Sequence, residues 1–271
     1  MVRAASGNLR ARLVSAAVAL PLLIAAVWAG NPIVLLVAIA IAFAAAREAA
    51  GLMAHMGMRP LVVTPVAGAA FVLSAWALGL GATALAFGGA AAAMLLVSPA
   101  LRGPRPGLRT WLATWGPVVY AGLPLAAVVL LRGAPHGLDW LLLGLLATFA
   151  TDTGAYFVGR ARGRHKMAPR ISPGKTWEGA AGGLAACVAA TVALNALLGM
   201  AFAPAAAAAL GAAIGVASQA GDLAESKLKR MAGVKDSGRF LPGHGGLLDR
   251  LDSLAPIFPL VYHVSRIWPA Q

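Results

Sequence analysis

Long apolar runs separated by short charged or turn-forming connectors set the pattern of this chain. Nine runs stand out: Leu13–Ala29, Ile33–Gly51, Leu61–Leu80, Thr83–Val97, Gly116–Leu131, Trp140–Val158, Ala180–Met200, Ala205–Ala220 and Leu254–Trp268. A bilayer core is crossed by roughly 20 apolar residues in a helix, and somewhat shorter runs are completed by their flanks. Asn31-Pro32 and Gly79–Ala82 carry turn chemistry between runs. Pro124 inside the fifth run is tolerated as a kink. Arg3, Arg10 and Arg12 ahead of the first run resemble the start of a secretory signal, with Val27-Trp28-Ala29 as a cleavage site. That run is long enough to span, however, and more spans follow, so a retained first helix is expected. The pattern predicts an all-α, polytopic integral membrane protein of about nine transmembrane helices. Spans 1–5 fall in residues 1–135 and spans 6–9 in residues 136–271. Ala and Gly recur within the runs, which favours close helix packing.

Composition agrees with that class. The 271 residues are 60% hydrophobic and 11% charged, with mean hydropathy +0.79, against about 25% charged in ordinary soluble domains. The net charge of +13 does not imply nucleic acid, because no soluble domain is present to carry a basic face. Instead it reports orientation. With the N-terminus in the cytoplasm, the alternating connectors place 20 of the 22 Lys and Arg residues inside, leaving only Arg132 and Arg266 out. The C-terminus is then expected outside. Arg102, Arg105, Arg109, Trp111 and Trp115 form a basic, aromatic segment suited to headgroups. The single cysteine, Cys187, lies in an apolar run and reads as a small core residue. No inverted repeat of the transporter kind is evident.

Charge concentrates in residues 218–253, which hold five of the nine acids and six of the basic residues. Asp222 and Glu225, followed by Lys229, stand at i, i+3 and i+7, and share a face if the eighth helix continues beyond the membrane. Asp249 and Asp252 repeat the i, i+3 pair at the expected start of the ninth helix. Either pair alone reads as a solvated helix end. Both together, flanking one loop at the bilayer, suit a hard divalent cation that also takes water and substrate phosphate oxygens. The loop between them holds five glycines, Pro242, Lys235, Asp236, Arg239 and His244. Glycines let backbone N–H groups approach phosphate, and the cations add donors.

Two further segments open on the same side. Asp152, with Tyr156, Gly159 and Gly163 after it, is an acid inside a span and a functional candidate for that reason. Ser172-Pro173-Gly174-Lys175-Thr176-Trp177-Glu178-Gly179 contains Gly-Lys-Thr, but a P-loop would need glycine where Pro169 stands, and no strand is expected before it. His55, His136, His165 and His263 read as interfacial or structural. No His/Cys set has zinc spacing and no Gly-x-Ser-x-Gly elbow is present.

The run from Ser226 through Leu228-Lys229-Arg230, Lys235-Asp236, Gly238, Leu241-Pro242, His244-Gly245-Gly246-Leu247 and Asp249-Arg250-Leu251-Asp252 resembles the signature of the phosphatidate cytidylyltransferases, or CDP-diacylglycerol synthases, without a departure. Residues 152–253 carry the resemblance; the N-terminal half matches only as a set of spans. The resemblance implies transfer of the cytidylyl group of CTP to phosphatidic acid, giving CDP-diacylglycerol and pyrophosphate, with Mg2+ required and room for a second cation. It implies a bacterial-type inner membrane enzyme with its active site on the cytoplasmic side, in contact with membrane lipids. Asp222 and Asp249 would be the main metal ligands, with Asp252, Glu225 and Asp236 as further ligands or supports to them. Asp222, Asp249, Lys229 and Arg250 would carry catalysis. Arg230, Lys235, Arg239, His244, Ser172, Lys175, Thr176 and Glu178 would hold CTP or the lipid headgroup. Oligomeric state is open, a homodimer being one arrangement. Three rivals stand beside this reading: a CTP-dependent polyprenol or phytol kinase, an ion-coupled transporter using Asp152, and a lipid-binding scaffold without catalysis, against which the intact acids argue.

Overall fold

A computed structural model describes residue 28 and residues 30–97, 107–238 and 245–268. The first expected span up to residue 27, with Arg3, Arg10 and Arg12, lies outside the described residues, as do Arg102, Arg105, Arg239 and His244. The described helices are α1 (Asn31–His55), α2 (Thr64–Leu78), α3 (Leu80–Val97), α4 (Leu108–Arg132), α5 (Gly137–Arg162), α6 (Trp177–Leu197), α7 (Pro204–Met231) and α8 (Ile257–Ile267). A 3-10 turn covers Leu248–Arg250. Among the described residues, α1, α4, α5, α6 and α7 are long and apolar enough to cross a membrane, and α2 and α3 are shorter apolar helices. The protein is a helical integral membrane protein.

The expectation of an all-helical chain needs one correction. Lys166–Ala168 (β1) and Ser172–Thr176 (β2) pair as an antiparallel hairpin, with Lys166 opposite Thr176 and Ala168 opposite Ser172. The Gly-Lys-Thr segment is therefore itself a strand running into α6. The helix before the hairpin also runs four residues past Val158, to Arg162. Similarly, α4 starts at Leu108, well before Gly116. Trp111 donates its indole N–H to the Ala91 carbonyl at 2.7 Å and Trp115 donates to the Met94 sulfur at 3.4 Å, so both belong to the helix packing rather than to a surface segment. At the other end, α8 begins only at Ile257. Pro256 disfavours helical geometry in the residue before it and serves as the start of the helix. Asp249 and Asp252 consequently sit in a 3-10 turn and in the turns after it, not on one helix face.

Two compact units form. One takes the described residues up to Leu130 together with Met231–Arg250; the other takes Leu131–Arg230 and Leu251 onward. The charged loop thus groups with the N-terminal helices. In the first unit, Val34, Leu35, Ala38, Ala42, Val72, Leu125 and Val129 make one core cluster. Phe71, Ala75, Val118 and Ala126 make another, extended by edge-to-face contacts of Phe71 with Phe87 and of Phe87 with Trp115.

In the second unit, α5 and α6 meet along small residues. A Cβ on Gly154 would lie 2.5 Å from the Ala186 Cβ, and one on Gly183 2.7 Å from the Thr151 carbonyl oxygen. Contacts this close require glycine and let the backbones approach. Helix α7 packs by the same device: a Cβ on Gly211 would meet Val188 and Thr191. Ile257 and Val261 of α8 lie against Gly144 of α5.

Candidate active site

Helix α7 does not stop at the end of its apolar run. It continues to Met231 and carries Asp222, Glu225, Ser226, Lys229 and Arg230 on its last turns. The expected continuation of the eighth span is therefore present. Basic residues in the last turn suit the negative end of the helix dipole. Lys229 Nζ lies 3.2 Å from Glu225 Oε1, one turn away. Glu225 is the single fully buried acid among the described residues, at 1% exposure, and a buried carboxylate needs such a cation beside it.

Strand β2 brings a second cation to the same helix. Lys175 Nζ lies 2.7 Å from Asp222 Oδ2, while Ser226 donates its hydroxyl to Asp222 Oδ1 at 3.3 Å. The hairpin is tied down at its turn, where Arg230 donates from Nε to the Ile171 carbonyl at 3.2 Å. At the end of β2, Thr176 accepts the Gly179 N–H at 3.1 Å and caps α6. Glu178, one of the expected substrate contacts, accepts the backbone N–H groups of Arg164 and His165 and pairs with the His165 ring. Thr176 and Glu178 thus shape the hairpin that presents Lys175, and Ser172 closes its ladder opposite Ala168.

Asp252 belongs to the same neighbourhood. Its carboxyl is pushed up to about 6, first by burial and then by the charge of Asp222, with Asp152 adding to the rise and the Ser253 N–H and Lys229 opposing it. Like charges that act on one another in this way mark a gathered set of carboxylates. Gly221 makes the approach possible: a Cβ there would strike the Asp252 carbonyl oxygen and reach 3.0 Å from the Pro256 ring. Gly221→Ala is therefore expected to displace Asp252 from Asp222 and, under the function proposed below, to lower turnover ~10-fold or more. Turnover by purified variant and parent in detergent measures it.

The remaining expected residues that are described, Asp249, Lys235 and Arg250, lie in the first unit. Asp249 Oδ2 accepts three bonds from its own loop: Ser237 N–H at 3.0 Å, Ser237 hydroxyl at 3.1 Å and Gly246 N–H at 2.8 Å. Gly245 turns the chain there with φ +82°, a conformation that favours glycine. Lys235, Asp236 and Arg250 are exposed. One residue not singled out by the charge pattern joins this loop. Glu48 of α1 accepts the Leu248 N–H at 3.0 Å and the Ser237 hydroxyl at 3.2 Å. The rule that singles out Asp152, an acid within an apolar run, applies equally to Glu48.

Lysine, arginine and carboxylates at the end of an apolar helix, with a hairpin folded over them, suit a phosphate-bearing substrate. Residues 10–268 match the Cytidylyltransferase family. The chain belongs to that family. Over 150 residues it is 43% identical to a phosphatidate cytidylyltransferase of Brucella suis, covering 55% of each chain. It is 46% identical over 128 residues to one of Haemophilus influenzae, covering 46% of this chain and 44% of the relative. With one of Staphylococcus saprophyticus it shares 40% over 144 residues, 53% of this chain and 55% of the relative. The chain spans about half the length of the curated relatives it matches.

Proposed function

We propose that this protein transfers the cytidylyl group of CTP to phosphatidic acid, releasing pyrophosphate and leaving CDP-diacylglycerol in the membrane. The Lys175–Asp222 contact carries the reading: a hairpin lysine and a helix carboxylate held 2.7 Å apart, beside Asp152 and Asp252, at the end of an apolar helix. A phosphate oxygen of the lipid attacks the α-phosphorus of CTP, and the bond from the α-phosphorus to the bridging oxygen of pyrophosphate breaks. Such a transfer asks the protein chiefly for positioning and charge neutralisation. Lys175 and Lys229 would hold phosphate oxygens, and Arg230 donates to the hairpin turn. In the first unit, Lys235 and Arg250 are exposed cations of the kind that suits phosphate, and Asp249 is bonded within their loop. Arg239 and His244, outside the described residues, complete the expected donors.

Magnesium fits the donor set in kind. Among the described residues, no three His, Cys, Asp or Glu converge into a ready cage. Magnesium does not need one, since it keeps several waters and is held by one or two carboxylates plus substrate phosphates. In the second unit Asp222 and Asp252 would supply such oxygens, with Asp152 near; Asp249, in the first unit, is the other expected ligand. Bound there, the cation would offset charge on the triphosphate and make the α-phosphorus more electrophilic.

The site is read as cytoplasmic and the membrane as a bacterial-type inner membrane, because the positive-inside pattern places 20 of 22 cations on that side. The test is purified protein in detergent with labelled CTP, phosphatidic acid and magnesium. Pyrophosphate and CDP-diacylglycerol are expected in equal amounts. CDP with a phosphorylated lipid would instead indicate a kinase, and ion-driven uptake into liposomes without either product would indicate a transporter.

Asp252 gives this reading a pH signature. Its folded value of about 6 lies above its ordinary 3.8, so the metal-free fold holds the proton more tightly than the unfolded chain. The stability from that proton is fully present below the ordinary value and is lost as pH rises through about 6. A cation reverses the balance by favouring the carboxylate. Magnesium is expected to raise the melting temperature more at pH ~7.5 than at pH ~5, read by thermal scans in detergent. An equal rise at both values would remove Asp252 from the cation site.

A further inference from the structure

The charged loop does not hold its shape alone. Its two described stretches, 231–238 and 245–250, meet on the carboxylate of Glu48, which rises from α1 nearly 200 residues earlier in the chain. Oε2 accepts both the Leu248 N–H at 3.0 Å and the Ser237 hydroxyl at 3.2 Å. Ser237 also donates its N–H to Asp249 Oδ2 at 3.0 Å, and its single hydroxyl proton is shared between that oxygen and Glu48 Oε2. Glu48, Ser237 and Asp249 therefore form one connected chain of bonds. The two glycines beside the carboxylate are required by its presence: a Cβ on Gly238 would strike Glu48 Oε1, and a Cβ on Gly246 would strike the Ser237 hydroxyl and lie 2.6 Å from Glu48 Oε2. An acid in an apolar helix is costly. This one is matched by donors from both arms of the loop and by two residues with no side chain, an arrangement more specific than helix packing demands.

We propose that Glu48 is a positioning residue for the reaction. It acts through Ser237 to fix Asp249, and through Leu248 to fix the turn that presents Arg250. The N-terminal helices, on this view, are part of the catalytic apparatus and not only a membrane anchor. The proposal rests on the cytidylyl-transfer reading for its kinetic arm. Its structural arm stands apart from that reading.

The test compares the full-length parent with Glu48→Gln, Ser237→Ala and the double variant in detergent. Two quantities are read: hydrogen exchange of the Leu248 amide, and kcat and KM for CTP. Glu48→Gln is expected to speed exchange at Leu248 and lower kcat ~10–100-fold, the size seen when a group that orients a working residue is removed, with KM for CTP changed much less. Ser237→Ala gives a smaller loss of the same kind. The double variant loses less than the product of the two single losses, because both act on one chain of bonds. Unchanged Leu248 exchange and kcat in Glu48→Gln, or strictly multiplicative losses, would overturn the proposal. So would a Glu48→Gln protein that fails to fold while Ser237→Ala leaves both quantities untouched, since Glu48 would then serve the fold alone. If the parent itself transfers no cytidylyl group, the functional reading fails, and the exchange arm still decides whether Glu48 holds the loop.

Discussion

Asp222→Asn is expected to lower cytidylyl transfer by at least ~100-fold while the protein still inserts and folds, a loss comparable to removing a group that stabilises charge in the transition state. The substitution keeps the shape of the side chain. It can still accept from Ser226, whose hydroxyl lies 3.3 Å from Oδ1, and it sits on a helix whose packing residues are untouched. What it removes is the charge that faces Lys175 at 2.7 Å and acts on Asp252. Lys175 pairs with Asp222; under the proposed function, a substrate phosphate would take over part of that role. The asparagine variant should therefore bind CTP without magnesium about as well as the parent, or better, and fail in turnover. Magnesium-dependent stabilisation should fall with it. The measurements are kcat, CTP binding with and without magnesium, and a thermal scan. Near-normal kcat would remove Asp222 from the chemistry. A loss of folded protein in place of kcat would make the Lys175–Asp222 pair a structural bridge.

How much of this could be read in the chain depends on the range of each interaction. The extension of α7 through Asp222, Glu225 and Lys229 was legible because a helix repeats its faces every three to four residues, and Glu225 to Lys229 is a local pair. Membrane character was legible because a bilayer imposes one length scale on every span. The hairpin was not. Lys166–Ala168 is three residues long, and Ser172–Thr176 has Pro173 and Gly174 in its middle, so neither shows the β-branched alternation by which strands are recognised. It forms through closure by Glu178 and Arg230, contacts that only the fold brings together. The start of α8 was hidden in a different way. Asp249 and Asp252 have helical spacing, but Pro256 delays the helix past both. Glu48 was the least visible, because its partners lie 189 and 200 residues away. A lone acid in an apolar run marks a cost, and the chain alone does not say which donors meet it.

The other large effect should come from a residue with no chemistry. Gly154→Val is expected to destabilise the protein by more than ~3 kcal/mol, beyond the usual range for overpacking, because the new side chain meets backbone as well as a methyl group. A Cβ at 154 lies 2.5 Å from the Ala186 Cβ and 2.9 Å from the Gly182 carbonyl oxygen. Neither helix can yield locally. On α6, Gly182 and Gly183 are themselves pressed against Val158 and Thr151 of α5, so the pair must part as a whole. Parting matters for the site, since α5 carries Asp152 and α6 begins at the Thr176 cap that ends the Lys175 strand. Gly154→Ala tests the cause with less damage. Its methyl group meets both obstacles, and Ala186→Gly removes only the first. The Gly154→Ala/Ala186→Gly pair should recover part of the lost melting temperature and part of the lost turnover, leaving a deficit set by the Gly182 carbonyl. Thermal scans and turnover of the four proteins in detergent measure both. Full additivity of the two substitutions would show that these helices are not held at the contact distance that places Asp152 and Lys175 on neighbouring elements.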